Sequence, residues 1–314
     1  MRARYSSATP LAGLVGWILM LALIRLLDLT LIDVILLFGL LVIAPLGLPL
    51  VERESSTVHR LARSAYLPAA LAAAGSFAVD EGWVAVALTA PLLAVTGLFA
   101  LGGLSVLWPV RSTVWRHLVP VASLAYLAGA AGWLAVSRLG ARPLNLPHEI
   151  VELTAVHFLF AGFGATAIGA CVLSAREQEG LPRNWLGEAA ALGLPGGTAL
   201  VAAGFALVAV LQVVGAVVLA LSLFVLAWLM LIAARGRVFP TSARVCLILA
   251  AGSVALAMLL ALQYAFGQRF GTPALSIQSM VRTHGLLNGF GFTLGGLLGW
   301  RLAGFRGWRP SASS

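Results

Sequence analysis

Lysine is absent from this chain and acidic side chains are scarce: its 20 basic residues are all arginine, against 11 Asp and Glu. Charged residues make up only 10% of the sequence while 61% is hydrophobic, with a mean hydropathy of +0.99. That balance excludes an ordinary soluble domain and points to a polytopic membrane protein whose main partner is the lipid bilayer. A formal charge of +9 would suit nucleic acid if the arginines clustered. They stand singly or in pairs between apolar runs, with no basic stretch interleaved with aromatics, so a nucleic-acid partner is not expected. The two cysteines, Cys171 and Cys246, lie inside apolar runs and no CxxC or CxxCH occurs, which excludes a disulfide framework and covalently attached haem. HExxH, GxSxG and Walker-type loops are missing as well, so nothing supports a hydrolase or an ATPase. The longest polar stretches, 51–63, 174–187 and 266–278, are too short to bury a core of their own. Any chemistry belongs inside the bundle or at its rims.

What fills the chain is a succession of apolar runs near 10–27, 29–50, 64–80, 82–108, 114–137, 150–173, 188–208, 211–234, 243–265 and 279–302, each close to the length that crosses a bilayer. The expectation is an all-α transmembrane bundle of about ten spans, a single integral membrane domain over 1–314. Within 188–234 the sequence reads as two spans or as one span plus a broken one, with Pro195 and Gly196-Gly197 as punctuation. The basic, apolar start resembles a signal peptide, but Arg25 stands where a small-residue cleavage site belongs, so it reads as an uncleaved first helix. Ten spans with both ends inside leave only Arg25, Arg138, Arg142, Arg269 and Arg282 outside and place the other arginines on the cytoplasmic side, as the positive-inside rule requires. The inferred location is the cytoplasmic (inner) membrane. Trp83, Trp108, Trp115, Trp133 and Trp300 fall near span ends, where interfacial indoles are expected.

Two stretches resemble one another: HFLFAGFGATAIG from His157 and HGLLNGFGFTLGG from His284. They share His, Leu, Gly-Phe-Gly, Thr and Gly at the same offsets. Both runs point the same way in the ten-span topology, which suggests a parallel internal repeat with units near 25–173 and 174–314. Two similar Gly-rich packing helices are the plainer alternative. At about 100° per residue, Thr154, Phe160, Ala161 and Gly164 share a face with His157, and Asn288, Gly291 and Gly295 share one with His284. Thr166 and Thr293 point away and are expected to donate to their own backbone carbonyls. The helical rise sets both histidines about 8–10 Å inward of their span starts, in the outer half of the bilayer. Glu149, Glu152, Arg282, Asp28 and Asp33 fall at the same level, where an unpaired charge costs several kcal/mol. Arg282 with Glu152 or Asp33 is the expected neutralising pair. Gln212 and Gln263 read as interhelical hydrogen-bonding groups, His59 and His117 as cytoplasmic rim residues, and His148 as an outer-loop residue without metal-ligand spacing.

The stretch MVRTHGLLNGFGFTLGGLLGW (Met280 to Trp300), taken with LTAVHFLFAGFG (Leu153 to Gly164), is similar to the YndJ family of bacterial multi-pass membrane proteins. The resemblance implies a membrane location and two marked helices, and a transporter-like label without a substrate. The family pattern carries a second histidine two residues after the first, where this chain has Leu159.

Three functions follow as expectations. The first is a transporter-like protein that binds a small solute, ion or proton in an outer-half site of His157, His284, Asn288, Arg282, Glu152 and Thr154. The second is a cofactor protein in which His157 and His284 ligate haem b or a metal ion from facing helices. The third is a structural or assembly protein whose buried polar groups fix helix register.

Overall fold

The computed structural model describes residues 8–52, 57–107, 114–180, 184–236 and 239–305. The expectations that fall on Trp108 and Arg111 lie outside them, as do the side chains of His59, Trp115 and Arg116. The described residues are almost all helical and include no strand. They form ten rods: α1 (Ala8–Ala22), α2 (Leu31–Val51), α3 (Thr57–Gly75), α4 (Trp83–Leu107), α5 (Val114–Arg138), α6 (His148–Gln178), α7 (Trp185–Ala206), α8 (Ala209–Arg235), α9 (Thr241–Phe270) and α10 (277–302).

Among the described residues, seven rods are both long and apolar enough to cross a membrane: α2, α4, α5, α6, α7, α8 and α9. The other three fall short for separate reasons. The described part of α1 has 15 residues. Helix α3 carries His59, Arg60 and Arg63 in its first two turns, and α10 carries Arg282, His284, Asn288 and Arg301 among glycines.

Neighbours in sequence pack side by side: α3 with α4, α4 with α5, α7 with α8, α8 with α9, and α10 against α9. Helix α2 is apolar on every face, and a helix of that kind has to be covered all round. It runs through the centre with Leu36, Leu37, Leu40, Leu41 and Ile43 all inaccessible. Its start is fixed by a reciprocal cap: the Thr30 hydroxyl accepts from the Asp33 backbone N–H at 3.2 Å, while Asp33 Oδ2 accepts from Thr30 N–H and Oγ1–H at 2.8 Å each. That arrangement satisfies donors a helix N-terminus otherwise leaves open. The outer rods instead show Leu, Val and Phe to their surroundings, for example Leu101, Leu221 and Leu249, as lipid-facing surfaces do.

The chain between 188 and 234 divides in two, as the runs 188–208 and 211–234 suggest, at Leu207–Val208, where the backbone leaves helical geometry. Pro195 lies inside α7 without ending it. Trp83 is exposed at the start of α4, as an interfacial indole should be. Trp300 is not: only 1% of it is accessible, and it packs edge-on against Phe239 and Phe305. Position near a span end does not by itself turn a side chain outward.

Three rods depart from α-helical geometry in the middle of the bundle. Gly39–Ile43 in α2, Phe158–Ala165 in α6, and Val281–Gly285 with Leu287–Leu294 in α10 are π-helical, with backbone bonds reaching five residues back. These segments pack on one another. A Cβ at Gly39 would come within 3.0 Å of both Leu159 and Phe160, and one at Gly164 within 2.5 Å of Thr293 Cγ2, so glycine is what lets the three rods approach. Neighbouring side chains brace two of the segments: Ser123 Oγ–H donates to Phe163 O at 2.9 Å, and Tyr66 O–H to Leu40 O at 3.0 Å.

Candidate functional site

A cavity of about 230 Å³ lies between α2, α6, α7, α8, α9 and α10. Its wall takes residues from the first turns of α2, α6, α8 and α10 and from the last turns of α7 and α9, including Ile32, Leu153, Phe205, Gln212 and Tyr264. It therefore sits at the end of the bundle where the connections 139–147, 207–208 and 271–276 lie. His157 and His284 both line it, with Thr154, Phe160, Ala161 and Asn288. The motif histidines thus share one chamber, with Thr154, Phe160 and Ala161 of the face expected for His157 but only Asn288 of that expected for His284, since Gly291 and Gly295 pack against Ser253 and Ala250 of α9.

Each ring has a defined partner. His157 Nε2–H donates to Thr198 O of α7 at 3.3 Å, and in the neutral tautomer this leaves Nδ1 an acceptor. His284 Nδ1–H donates to Ala257 O of α9 at 2.9 Å, and its Nε2 accepts from Asn288 Nδ2 at 2.9 Å. A carbonyl can only accept, so these partners assign the tautomers. Thr154 donates to Ile150 O at 2.7 Å along its own helix. Among the described residues the wall includes no Asp, Glu, Arg or Lys; its polar side chains there are His, Thr, Gln, Tyr and Asn.

The other two expected members are elsewhere. Arg282 is exposed and does not form the expected pair with Glu152 or Asp33. Glu152 turns away from the cavity toward α5, where Oε1 lies 2.9 Å from His148 Nε2 and 3.3 Å from Ser137 Oγ. The helix explains the split, because Glu152 lies about 140° around α6 from His157. Asp33 is occupied in the α2 cap. The sequence reading underrated His148, which opens α6 and contacts both Glu152 and Glu81. Its signal was the i, i+4 spacing to Glu152. Gln212 lines the cavity and Gln263 is exposed.

Thr166 and Thr293 were expected to donate to their own backbones. Both are fully buried and neither hydroxyl has a hydrogen-bond partner among the described residues. Thr96, Thr154 and Thr198, in regular α-helix, do donate to the carbonyl four residues back. For Thr166 and Thr293 that carbonyl belongs to a π-helical turn, whose wider ladder carries it out of reach.

The histidines fit a haem or metal poorly. Coordination through facing Nε2 atoms would need both lone pairs, yet His157 uses Nε2 as a donor and His284 Nε2 already accepts from Asn288. Among the described residues no group of three or more His, Cys, Asp or Glu is placed to hold a metal ion.

Fold and site together define a multi-pass helical membrane protein with a chamber inside its bundle. The chain belongs to the YndJ-like family, whose model matches residues 34–292 and so includes the first histidine motif whole and the second from His284 to Phe292. Searches of curated proteins and of solved structures found no match.

Proposed function

We propose that the chain is a transporter-like protein of the cytoplasmic membrane which binds a small uncharged molecule in the chamber between His157 and His284. The observation that carries this reading is the chamber's chemistry: a mostly apolar wall with neutral hydrogen-bonding groups and no formal charge. An inorganic ion would lose its hydration there without compensation, whereas binding sites for small organic molecules combine apolar walls with a few placed polar groups. A cavity of 150 Å³ accommodates benzene, so 230 Å³ suits a molecule of about nine heavy atoms. The unused Nδ1 of His157 favours a ligand with an N–H or O–H to donate.

Ten crossings with both ends in the cytoplasm remain the reading that the arginine distribution supports, and it sets the chamber in the outer half of the membrane. The parallel repeat, with units near 25–173 and 174–314, rests on the sequence: the two motif histidines are 127 residues apart, and so are Pro68 and Pro195.

The test is retention of indole, a neutral molecule of about nine heavy atoms, by equilibrium dialysis against the protein in lipid nanodiscs. Benzoate, of the same size but anionic, is the comparison. Indole retained by the wild type and lost on filling the chamber with Ala161→Phe is the expected result. Equal retention by both proteins, or benzoate held as well as indole, would defeat the reading.

A further inference from the structure

Beside the uncharged chamber, on the other face of α6, lies a charged network that the chamber does not use. His148 is its hub. Its Nδ1 accepts from the Arg142 guanidinium, which has only donors, so the neutral ring carries its proton on Nε2. That single N–H faces two carboxylates, Glu81 Oε1 at 3.2 Å and Glu152 Oε1 at 2.9 Å. The Glu81 side chain is 38% exposed and that of Glu152 only 7%. Across the seam between α2 and α6, the buried Asp33 repels Glu152. Asp33 Oδ2 is taken by the Thr30 cap, and its Oδ1 is buried with no hydrogen-bond partner.

The cation nearest at hand does not neutralise the pair. Arg138 of α5 attracts Glu152 through space, but its Nη2 donates to Ser76 O at 3.1 Å and Val79 O at 2.9 Å, and its guanidinium lies 4.8 Å from the Phe77 ring centroid. No salt bridge joins Arg138 to Glu152 or Asp33 among the described residues. Glu152 therefore faces Asp33 from α2, Arg138 and Ser137 from α5, Glu81 from the α3–α4 connection, and His148 on its own helix, with Arg142 behind the ring. Glu152, buried and without a bonded arginine, is costly to keep ionised beside a second buried carboxylate.

We propose that Glu152, facing Asp33 across the seam, is a proton-binding site, filled from the Glu81 side, whose charge state sets the spacing of α2 and α6. The chemistry is one proton added to the Glu152 carboxylate from water. With Glu152 ionised, the His148 Nε2–H is drawn to it and Glu81 is left to solvent. With Glu152 protonated, that N–H turns to Glu81 and the repulsion from Asp33 ends. Helices α2 and α6 are also walls of the chamber, since Ile32 and Ile35 flank Asp33, and Leu153 and Thr154 follow Glu152. The proton thus acts on the chamber's width. This consequence rests on the chamber being the binding site; the proton site itself does not.

Infrared difference spectra of the full chain in lipid, between about pH 5 and about pH 9, bracket carboxylate and histidine titration and read the C=O stretch of a protonated buried acid. The band is expected to titrate in the wild type and to be lost in Glu152→Gln, which keeps an acceptor for Ser137. Asp33→Asn is expected to move the titration to lower pH, by removing the repelling charge. Spin labels at Leu31→Cys and Glu149→Cys, with Cys171 and Cys246 replaced by Ala, report the seam. It should narrow by about 1–2 Å at the acid end, on the scale of helix shifts, and not in the Glu152→Gln background. A band indifferent to both substitutions would overturn the site, and a constant distance would overturn its action on the chamber. Both readouts are taken without ligand, so a failure of indole retention leaves them intact, and their failure leaves indole retention standing.

Discussion

Helix α6 builds two polar regions within ten residues, and they are opposites. Toward α7, α8, α9 and α10 it presents Thr154 and His157 to a chamber without formal charge. Toward α3–α5 it presents His148 and Glu152 to a network of carboxylates and arginines. Both regions lie at the same end of the bundle and differ in what they do with a polar group. In the chamber each histidine is fixed by a backbone carbonyl and keeps a neutral form. In the network Glu81 and Glu152 share the His148 N–H, so a change at one carboxylate is felt at the other. A helix only about 10 Å wide separates an uncharged environment from a charged one, because residues five apart point to different neighbours.

That contrast gives a graded set of expectations. Arg138→Met should have the largest effect. It removes two charge-assisted bonds to Ser76 O and Val79 O, with a loss of about 3 kcal/mol in stability, read as a lowered melting temperature in nanodiscs, while indole retention at a temperature below both melts stays near wild type. A loss of retention in proportion to the loss of stability would show the two regions to be one. Ala161→Phe is next: a fall of about 30-fold in indole affinity, roughly 2 kcal/mol, with the infrared band of the network unchanged. If the band vanishes with the chamber, the separation fails.

Asn288→Leu takes the donor from His284 Nε2 and should cost about 1 kcal/mol of stability. It should weaken indole binding without altering the pH response of the α2–α6 distance. The smallest effect has the opposite sign. Thr166→Val and Thr293→Val each remove a buried hydroxyl without a partner and should be neutral or stabilising by up to about 1 kcal/mol. Thr198→Val, which removes a bond to Leu194 O, should destabilise by a similar amount. Melting curves of the three variants decide this. Destabilisation by all three would mean that the two motif hydroxyls are satisfied after all.

Much of this was legible in the residues. The apolar runs located the rods, and the paired motifs identified the two helices whose histidines meet in one chamber. Periodicity put Thr154, Phe160 and Ala161 with His157, and Asn288 with His284, because an α-helical face depends only on spacing. Depth misled where facing mattered. Glu152, Asp33 and Arg282 share a level with the histidines, and level alone suggested one site with an Arg282 ion pair. The rise along a helix fixes height but not which neighbour a side chain meets.

The apolar composition and its continuous runs of about 20 residues determined by themselves that this chain builds a helical bundle for a bilayer, since a barrel strand needs only about ten residues of alternating character. The glycine-rich histidine motifs determined which helices could approach closely. Tertiary structure decided the rest. It alone placed π-helical turns where α2, α6 and α10 meet, stranding Thr166 and Thr293. It alone turned Trp300 inward and sent Glu152 to His148 rather than to Arg282. The physical reason is the same in each case: the partner of a side chain on a packed helix is set by contacts between segments far apart in the chain, and spacing within one segment carries no record of them.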